Sequence, residues 1–329
     1  MLRKAKKMTP TKLIFDTDIG GDCDDAGALA LIHRLCDRGE AELLLVTHCF
    51  NSPYYAGCID AINTFFGRKV PIGVNYSHPV SKNPEGVYAK ILTEECPNSY
   101  PASTYKTSLG AEDSLAALRK ALRDADDGSI TLVATGTLAN MARLVLSEAD
   151  EVCPLSGREL IKRKIKRTVV MGGRFFESWP MTVFESGDPT HHVITWEYNI
   201  RGSGFTDAST VFDNWEGELV LSSYEIGSYI TTMRGYGKRA KSGDPVALAY
   251  KVHNGDVGRC SWDHTAVLEA VRPGIYWNLH EFGKISVDTD MITHWKKDSK
   301  YRHSYLLPKA DYDDIREVID TLVMPKSAE

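Results

Sequence analysis

The sequence is short of the features that mark membrane, secreted and nucleic-acid-binding proteins. It has no run of about 18 to 20 apolar residues, the length needed to cross a bilayer, and its formal net charge of −5 provides no basic excess for a phosphate backbone. The seven cysteines are an odd number without a C-x-x-C pair, which argues against a disulfide framework and a thiolate zinc site. The basic start, MLRKAKKMTP, leads into the first strand without an apolar signal region. We therefore expect a cytoplasmic protein, with no nucleic acid and no membrane as partner.

Signature motifs of several common enzyme classes are also missing. The sequence contains no P-loop, no G-x-S-x-G and no H-E-x-x-H, so P-loop NTPases, serine hydrolases and zincins have no support. The segment GSGFTD has Asp207 where a dinucleotide-binding loop needs its third glycine. What is present is a chain of 329 residues, 43% hydrophobic and 25% charged, which is enough to bury a large globular core.

Short apolar runs alternate with helical patterns from the N-terminal end onwards. Strands are predicted at 13–15, 43–46, 130–135, 168–173 and 218–223, and helices at 24–36, 56–66, 112–125, 138–146, 263–271 and 311–322. This βαβα order predicts an α/β fold with a doubly wound, mostly parallel sheet and helices on both faces. No linker divides the chain, so we expect a single domain over 11–329 after a basic tail at 1–10. Ligands of such sheets bind at the carboxyl ends of the strands.

A cluster of aspartates lies where the first strand meets the first helix. The segment DTDIGGDCDD places five carboxylates in ten residues, at positions 16, 18, 22, 24 and 25. Two such charges 4 Å apart repel by about 4 kcal/mol at an effective dielectric constant of 20. A helix N-terminus stabilises each nearby carboxylate by only about 0.3 to 1 kcal/mol. A hard divalent cation offsets the repulsion more completely. The alternative is that Asp24 or Asp25 only caps the helix and the others are solvated turn residues.

The cluster by itself cannot complete a metal site of the EF-hand kind. Counted from Asp16, position 5 is Gly20 and position 12 is Gly27, so the bidentate glutamate is missing. Further ligands must come from other strand ends. The candidates that follow later strands or begin later helices are Asn51, Thr135, Glu197, Asn199 and Asp263.

These segments, taken together and in order, resemble the nucleoside hydrolase family, the inosine-uridine preferring enzymes that hydrolyse the N-glycosidic bond of ribonucleosides. The resemblance runs from residue 13 to about 271 and is carried by DTD…DD, the asparagine after the second strand, VATGTLAN, VVMGG, EYN and the late aspartate ahead of TAV. It implies the nucleoside hydrolase fold, a ribonucleoside substrate and a homodimer or homotetramer. It leaves open whether the role is purine salvage or nucleoside catabolism.

The resemblance also implies roles for individual residues. Asp18, Asp25, Asp263 and the backbone carbonyl of Thr135 would hold a Ca²⁺ ion. Asp18 would be the general base that takes a proton from the attacking water. Met171 would lie under the sugar, and the residues that would bind ribose hydroxyls are Asp24, Asn51, Glu197, Asn199 and Asp263. Asp16 would either support the loop or cap the turn.

Two departures from the family pattern bear on the chemistry. The usual opening, DxDPGxDD, is two residues shorter than DTDIGGDCDD, and the use of the additional Asp22 is unknown. Where many members carry a histidine thought to protonate the leaving base, this chain has Trp262, as in a purine-preferring subgroup in which a ring stacks on the base. Trp262 is alternatively a core residue. Tyr88 and Tyr236 are further candidates for base contacts, and His191 and His192 are candidates for the leaving-group acid.

Two rival functions remain. A strand that ends in D-x-D also suits a metal-dependent phosphohydrolase, although no lysine is evident at a later strand end. A calcium-dependent nucleoside or sugar-binding protein without turnover would need the same ribose site. An acidic pocket with a positioned water suits the oxocarbenium-like state of glycosidic bond cleavage, so we expect hydrolysis with a preference for purines.

Overall fold

The computed structural model describes residues 9–78, 85–95, 100, 110–175, 181–183, 192–194 and 196–324. Its centre is a nine-stranded sheet, accompanied by three small two-stranded sheets. The strands, in chain order, are β1 (Thr11–Thr17), β2 (Ala41–His48), β3 (Ile72–Val74), β4 (Glu112–Asp113), β5 (Ile130–Ala134), β6 (Ile165–Met171), β7 (Met181–Val183), β8 (His192–Ile194), β9 (Glu218–Ser222), β10 (Thr231–Thr232), β11 (Arg259–Cys260), β12 (Trp277–Leu279), β13 (Lys284–Val287), β14 (Thr293–Lys296) and β15 (Arg302–Pro308).

The helices connect these strands and cover the sheet. They are α1 (Asp24–Asp37), α2 (Tyr55–Phe65), α3 (Ala89–Glu95), α4 (Ser114–Asp124), α5 (Ala139–Leu146), α6 (Gly157–Lys164), α7 (Tyr198–Asn214), α8 (Tyr224–Ser228), α9 (Tyr236–Arg239), α10 (Pro245–Asn254), α11 (Trp262–Val271) and α12 (Tyr312–Val323). Among the described residues, every helix is too short or too polar to cross a membrane.

The order of strands in the large sheet is β12-β15-β9-β6-β5-β1-β2-β3-β4. All neighbours run parallel except β12, which pairs antiparallel with β15 at the edge. Successive strands after β1 are added on one side as far as β4, and β5 then returns to the other side of β1. The order of addition therefore reverses between β1 and β5, and this reversal opens a crevice at their carboxyl ends where ligands of such sheets bind.

Two hydrophobic cores lie on the two faces of the sheet. One packs α1, α2, α11 and α12 against it, and the other packs α4, α5, α6 and α7. A parallel sheet buried on both faces has continuous apolar strands, as in LIF of β1 and LLLV of β2. The predicted doubly wound, single-domain fold is confirmed.

Some element boundaries differ from the prediction for local reasons. The helix predicted from residue 112 begins at Ser114, because the Asp113 side chain caps it by accepting hydrogen bonds from the amides of Leu115 and Ala116. The segment GSGFTD lies within α7, where Gly204 kinks the helix with a φ of 71°. The basic tail falls on residues 1–10, of which only the last two are described.

Candidate functional site

The aspartate-rich segment forms the loop between β1 and α1, at the crevice where the strand order reverses. The loop turns sharply at Gly20, whose φ of 128° and close approach to the Tyr55 ring leave no room for a side chain. The N-termini of α7 and α11 reach the same crevice, where Glu197 caps α7 and Asp263 lies in the first turn of α11. Helix N-termini carry partial positive charge and free amide donors, so the crevice suits anionic side chains.

Three carboxylates converge in this crevice. Ligand oxygens of Asp24, Asp25 and Asp263 all lie within 4.8 Å of one another. Each of the three side chains is almost completely buried. Burial, followed by repulsion from other aspartates of the site, raises the pKa of all three well above the usual value. Three buried oxygen donors that repel one another match what a hard divalent cation requires, so the residues fit a metal site.

Hydroxyl groups orient one carboxylate of this trio. Asp25 accepts hydrogen bonds from the Thr17 hydroxyl and, at 3.2 Å, from the Thr135 hydroxyl. Asp24 accepts a longer bond from the backbone amide of Asp263 at 3.4 Å. The trio is therefore joined to the ends of β1 and β5 and to the start of α11.

Asp18, a predicted metal ligand and general base, lies beside the trio and is only partly buried. Burial, followed by repulsion from Asp24 and Asp22, raises the pKa of Asp18 to about 8. The backbone carbonyl of Thr135, the fourth predicted ligand, accepts a hydrogen bond from Asn199 at 2.8 Å. The convergent trio thus contains Asp25 and Asp263 of the predicted ligand set, together with Asp24, which was predicted to bind ribose.

Glu197 and Asn199 lie together at the start of α7. The Glu197 carboxylate caps the helix, accepting from the amides of Asn199 at 2.8 Å and Ile200 at 3.0 Å, and it also accepts from Gly173 at 3.1 Å. Asn199 donates through its side-chain amide to the carbonyls of Thr135 and, at 3.1 Å, Met171. Burial raises the pKa of Glu197 to about 7. Three predicted substrate contacts are therefore adjacent at the ends of β5 and β6.

Asn51 and Asp16 occupy opposite environments. Asn51 is partly exposed beyond the end of β2 and donates to the Tyr76 carbonyl at 3.5 Å. Asp16 is buried and accepts hydrogen bonds from Thr47 at 2.5 Å and Asn140 at 2.7 Å. The Asp16 carboxylate is therefore held by side chains of β2 and α5.

Asp22 has a clear structural partner. Its carboxylate accepts two hydrogen bonds from Arg259 Nε, at 2.9 and 3.1 Å, and a further one from Nη2. His253 Nε2 lies 3.3 Å from the same carboxylate, and Nδ1 of that ring lies 3.0 Å from the Gly21 carbonyl. Burial alone would raise the pKa of Asp22, but the bonds and charge of Arg259, together with His253, lower it. Sequence reasoning missed Arg259 and His253, because more than 200 residues separate them from Asp22.

Trp262 is partly buried next to Asp263. Its indole N–H donates to the Tyr224 carbonyl at 3.0 Å and lies 3.2 Å from the Ser228 hydroxyl. The guanidinium carbon of Arg259 lies 4.8 Å from the centroid of the Trp262 ring. Hydrogen bonds thus hold the N–H edge of Trp262, and the Arg259 guanidinium lies over its ring.

The two tyrosines considered as base contacts are buried and hydrogen-bonded within the protein. Tyr88 is fully buried, and its hydroxyl accepts from the Gly20 amide at 3.1 Å and donates to the Asp22 carbonyl at 2.7 Å. Tyr236 is fully buried and donates to Asp244 at 3.1 Å. His191 and the side chain of His192 lie outside the described residues.

Comparisons with known proteins identify the family. The sequence profile of a family described as inosine-uridine preferring nucleoside hydrolase matches residues 13–294. A comparison with curated proteins found no match.

Several solved structures share the fold. An inosine-guanosine nucleoside hydrolase has 18% sequence identity and a TM-score of 0.67, with 96% of this chain and 99% of that chain covered. A purine-preferring ribonucleoside hydrolase from Gardnerella vaginalis has 18% identity and a TM-score of 0.65, with 95% and 98% covered. The type III effector protein XopQ, solved in complex with adenosine diphosphate ribose, has 11% identity and a TM-score of 0.67, with 96% and 94% covered.

Proposed function

Because the chain belongs to the inosine-uridine preferring nucleoside hydrolase family, we propose that it hydrolyses the N-glycosidic bond of ribonucleosides to ribose and free base in a Ca²⁺-dependent reaction. The observation that carries the proposal is the buried trio of Asp24, Asp25 and Asp263 at the crevice of the sheet. We further propose a cytoplasmic homodimer or homotetramer.

The acidic trio, with Asp18 and the Thr135 carbonyl beside it, would hold the cation. Oxygen ligands alone favour Ca²⁺ over softer metals. When bound, the ion supplies positive charge that offsets the carboxylates and acts as a Lewis acid toward water. Asp18 takes the proton of the attacking water as the general base.

The remaining site residues bind the sugar. Glu197 and Asn199 are held by backbone groups at the start of α7, so they meet ribose hydroxyls without reorganising. Asp24, Asn51 and Asp263 contact further hydroxyls. Loss of one hydroxyl would leave buried carboxylate or amide groups unpaired, so ribose is preferred over deoxyribose. Carboxylates around the sugar also stabilise the positive charge that develops as the glycosidic bond breaks.

We propose a preference for purines. Trp262 occupies the position of the family's histidine, and an aromatic wall provides more contact to a two-ring base than to a one-ring base. Two similar solved structures are described as inosine-guanosine and purine-preferring hydrolases, which supports the same preference.

The deciding experiment measures release of reducing ribose from inosine, guanosine, adenosine, uridine and cytidine, with and without a chelator. We expect release from the purine ribonucleosides, loss of release with chelator, and recovery on addition of Ca²⁺. The matching deoxynucleosides serve as controls for the ribose site. Release that survives chelation would contradict the metal role, and equal rates for all five bases would contradict the purine preference.

Binding of a ribosyl compound without turnover is the second candidate. It is favoured by the absence of the family's histidine at position 262 and by the XopQ structure, which is described in complex with adenosine diphosphate ribose. Calorimetry with Ca²⁺ and the same nucleosides separates the two functions, since binding with no ribose release supports this one.

A further inference from the structure

Arg259 lies between the aspartate loop and Trp262. Its Nε and Nη2 atoms pair with the Asp22 carboxylate, which occupies one edge of the guanidinium. Within the described part of the chain, Nη1 donates no hydrogen bond, and 32% of the side chain is exposed. The other edge of this cation is therefore available to a ligand.

Arg259 determines which group a bound base contacts on one face of Trp262. The guanidinium lies over the ring of Trp262, with its carbon 4.8 Å from the ring centroid. The N–H edge of Trp262 is already bound to the Tyr224 carbonyl, and the Tyr224 ring lies 5.3 Å away at a tilt of 32°. A base that approaches the covered face of Trp262 thus contacts the guanidinium before it contacts the indole.

Arg259 also lies next to the metal trio. It pairs with Asp22 of the aspartate loop and lies over the ring of Trp262, the residue that precedes Asp263 in α11. The arginine therefore borders the acidic site on the same side as the tryptophan.

We propose that Arg259 is the residue that contacts and stabilises the leaving base, in place of the family's histidine; this rests on the proposed function. A planar guanidinium stacks on aromatic rings and donates hydrogen bonds to acceptors in its plane, so it can lie on Trp262 and meet ring nitrogens or a carbonyl of the base. Its charge is fixed, because arginine does not deprotonate in proteins.

The bond changes balance without a proton from Arg259. The water oxygen bonds to C1′, and its proton goes to Asp18. The electron pair of the C1′–N bond leaves with the base nitrogen, and the resulting negative charge spreads to acceptor atoms that face the guanidinium. The base takes its proton from solvent, and Asp18 returns its own to solvent. Arg259 thus acts by preorganised charge stabilisation.

The competing role for Arg259 is purely structural. Its pairing with Asp22 ties the loop after β1 to β11, so its loss could act through the loop alone. The two roles are separated by a substrate whose leaving group departs without stabilisation of its negative charge by the enzyme. A 4-nitrophenyl riboside is such a substrate, because nitrophenolate leaves unaided.

The test compares Arg259→Gln with the wild-type full-length protein in Ca²⁺, using a purine ribonucleoside and the nitrophenyl riboside. Loss of one charge-stabilising donor predicts that kcat falls about 100-fold on the purine ribonucleoside, with a change within about threefold on the nitrophenyl riboside. Arg259→Lys keeps a positive charge beside Asp22 but lacks the planar, bidentate guanidinium. We therefore expect an intermediate loss of kcat, on the purine substrate only.

A matched control is Arg302→Gln. Arg302 also pairs with a carboxylate, Glu218 at 2.9 Å, and also lies over a ring, Phe282 at 4.3 Å, but it starts β15 at the opposite end of the sheet from the site. Its kinetics should match the wild type on both substrates.

The outcomes are distinct. Equal losses on both substrates in Arg259→Gln and Arg259→Lys would assign Arg259 to the loop and overturn the inference, as would unchanged rates on both. If the wild type releases nitrophenolate but Arg259→Gln is selectively slow on the purine substrate, the inference holds. If the wild type hydrolyses neither substrate, the proposed function fails and the inference fails with it.

Discussion

Two carboxyl groups of the loop after β1 have pKa values that are shifted in opposite directions. Asp18 and Asp22 are the same residue type, four positions apart, yet the pKa of Asp18 rises to about 8 while that of Asp22 falls. Burial acts on both, but Asp22 has Arg259 and His253 against it, whereas Asp18 has neighbouring carboxylates. Asp22 therefore stays ionised and holds Arg259.

The role of Asp18 is tested by Asp18→Asn. The amide keeps the shape of the side chain but cannot take a proton, so we expect ribose release to fall by about 1,000-fold. The matched control is Asp290→Asn, at the exposed turn between β13 and β14, which should leave the rate unchanged. Circular dichroism checks that both variants fold. Normal turnover in folded Asp18→Asn would remove the assignment.

At the scale of elements, the loop after β1 is held from outside by the residues that lead into α3. The amides of Val87 and Tyr88 both donate to the Gly20 carbonyl, at 2.6 and 3.2 Å. The Tyr88 hydroxyl bridges the Gly20 amide and the Asp22 carbonyl. This segment therefore fixes the backbone on which Asp18, Asp24 and Asp25 stand.

Tyr88→Phe removes that bridge without changing the ring. It leaves two buried backbone groups without their partner, so we expect the free energy of unfolding to fall by about 1 to 3 kcal/mol and Ca²⁺ to bind more weakly. Urea unfolding and calorimetry measure the two effects. Tyr301→Phe is the control, because the Tyr301 hydroxyl donates to the Asp213 carbonyl at an exposed position, and its effect should stay within about 0.5 kcal/mol. An unaltered Ca²⁺ affinity in Tyr88→Phe would contradict the idea that the Tyr88 bridge positions the metal ligands of the loop.

At the scale of the whole molecule, buried neutral histidines make folding sensitive to acid. His33 is fully buried in α1, with Nε2 of its ring 2.9 Å from Asn63 Oδ1, and burial lowers the pKa of His33 to about 3. Among neighbouring charges, Arg68 and Arg34 lower this pKa further, while Asp37 opposes them. In the unfolded chain the pKa is about 6.5, so the unfolded state binds the proton first and stability falls as pH drops from 6.5 towards 3.

His33→Gln tests this pH dependence. Between pH 7 and pH 5, the wild type should lose about 2 kcal/mol more of its unfolding free energy than the variant does, since glutamine cannot take up a proton. Urea unfolding at the two pH values measures the difference. His294→Gln, at an exposed position, controls for the loss of a surface histidine. A wild type and a His33→Gln variant with the same pH dependence would contradict the prediction.

In the first half of the chain, the local sequence pattern was enough to predict the architecture. Alternating apolar runs and helical periods placed β1, β2, β5 and β6 with their helices, because strands buried on both faces must be apolar throughout. In the second half, α7 and α10 were not anticipated, since their apolar residues form no regular stripe, and β15 joins the sheet far from its neighbour β9 in sequence. Long-range pairing of this kind leaves no local signal.

The sequence by itself determined the strand ends and the aspartate-rich loop, because both depend on residues close together in the chain. Only the tertiary structure decided that Asp24 lies in one carboxylate cluster with Asp25 and Asp263, that Asp22 pairs with Arg259 and His253, and that Arg259 covers Trp262. Side-chain pairs of opposite charge can form in many combinations along one sequence, and which of them meet depends on how the packed sheet and helices bring distant segments together.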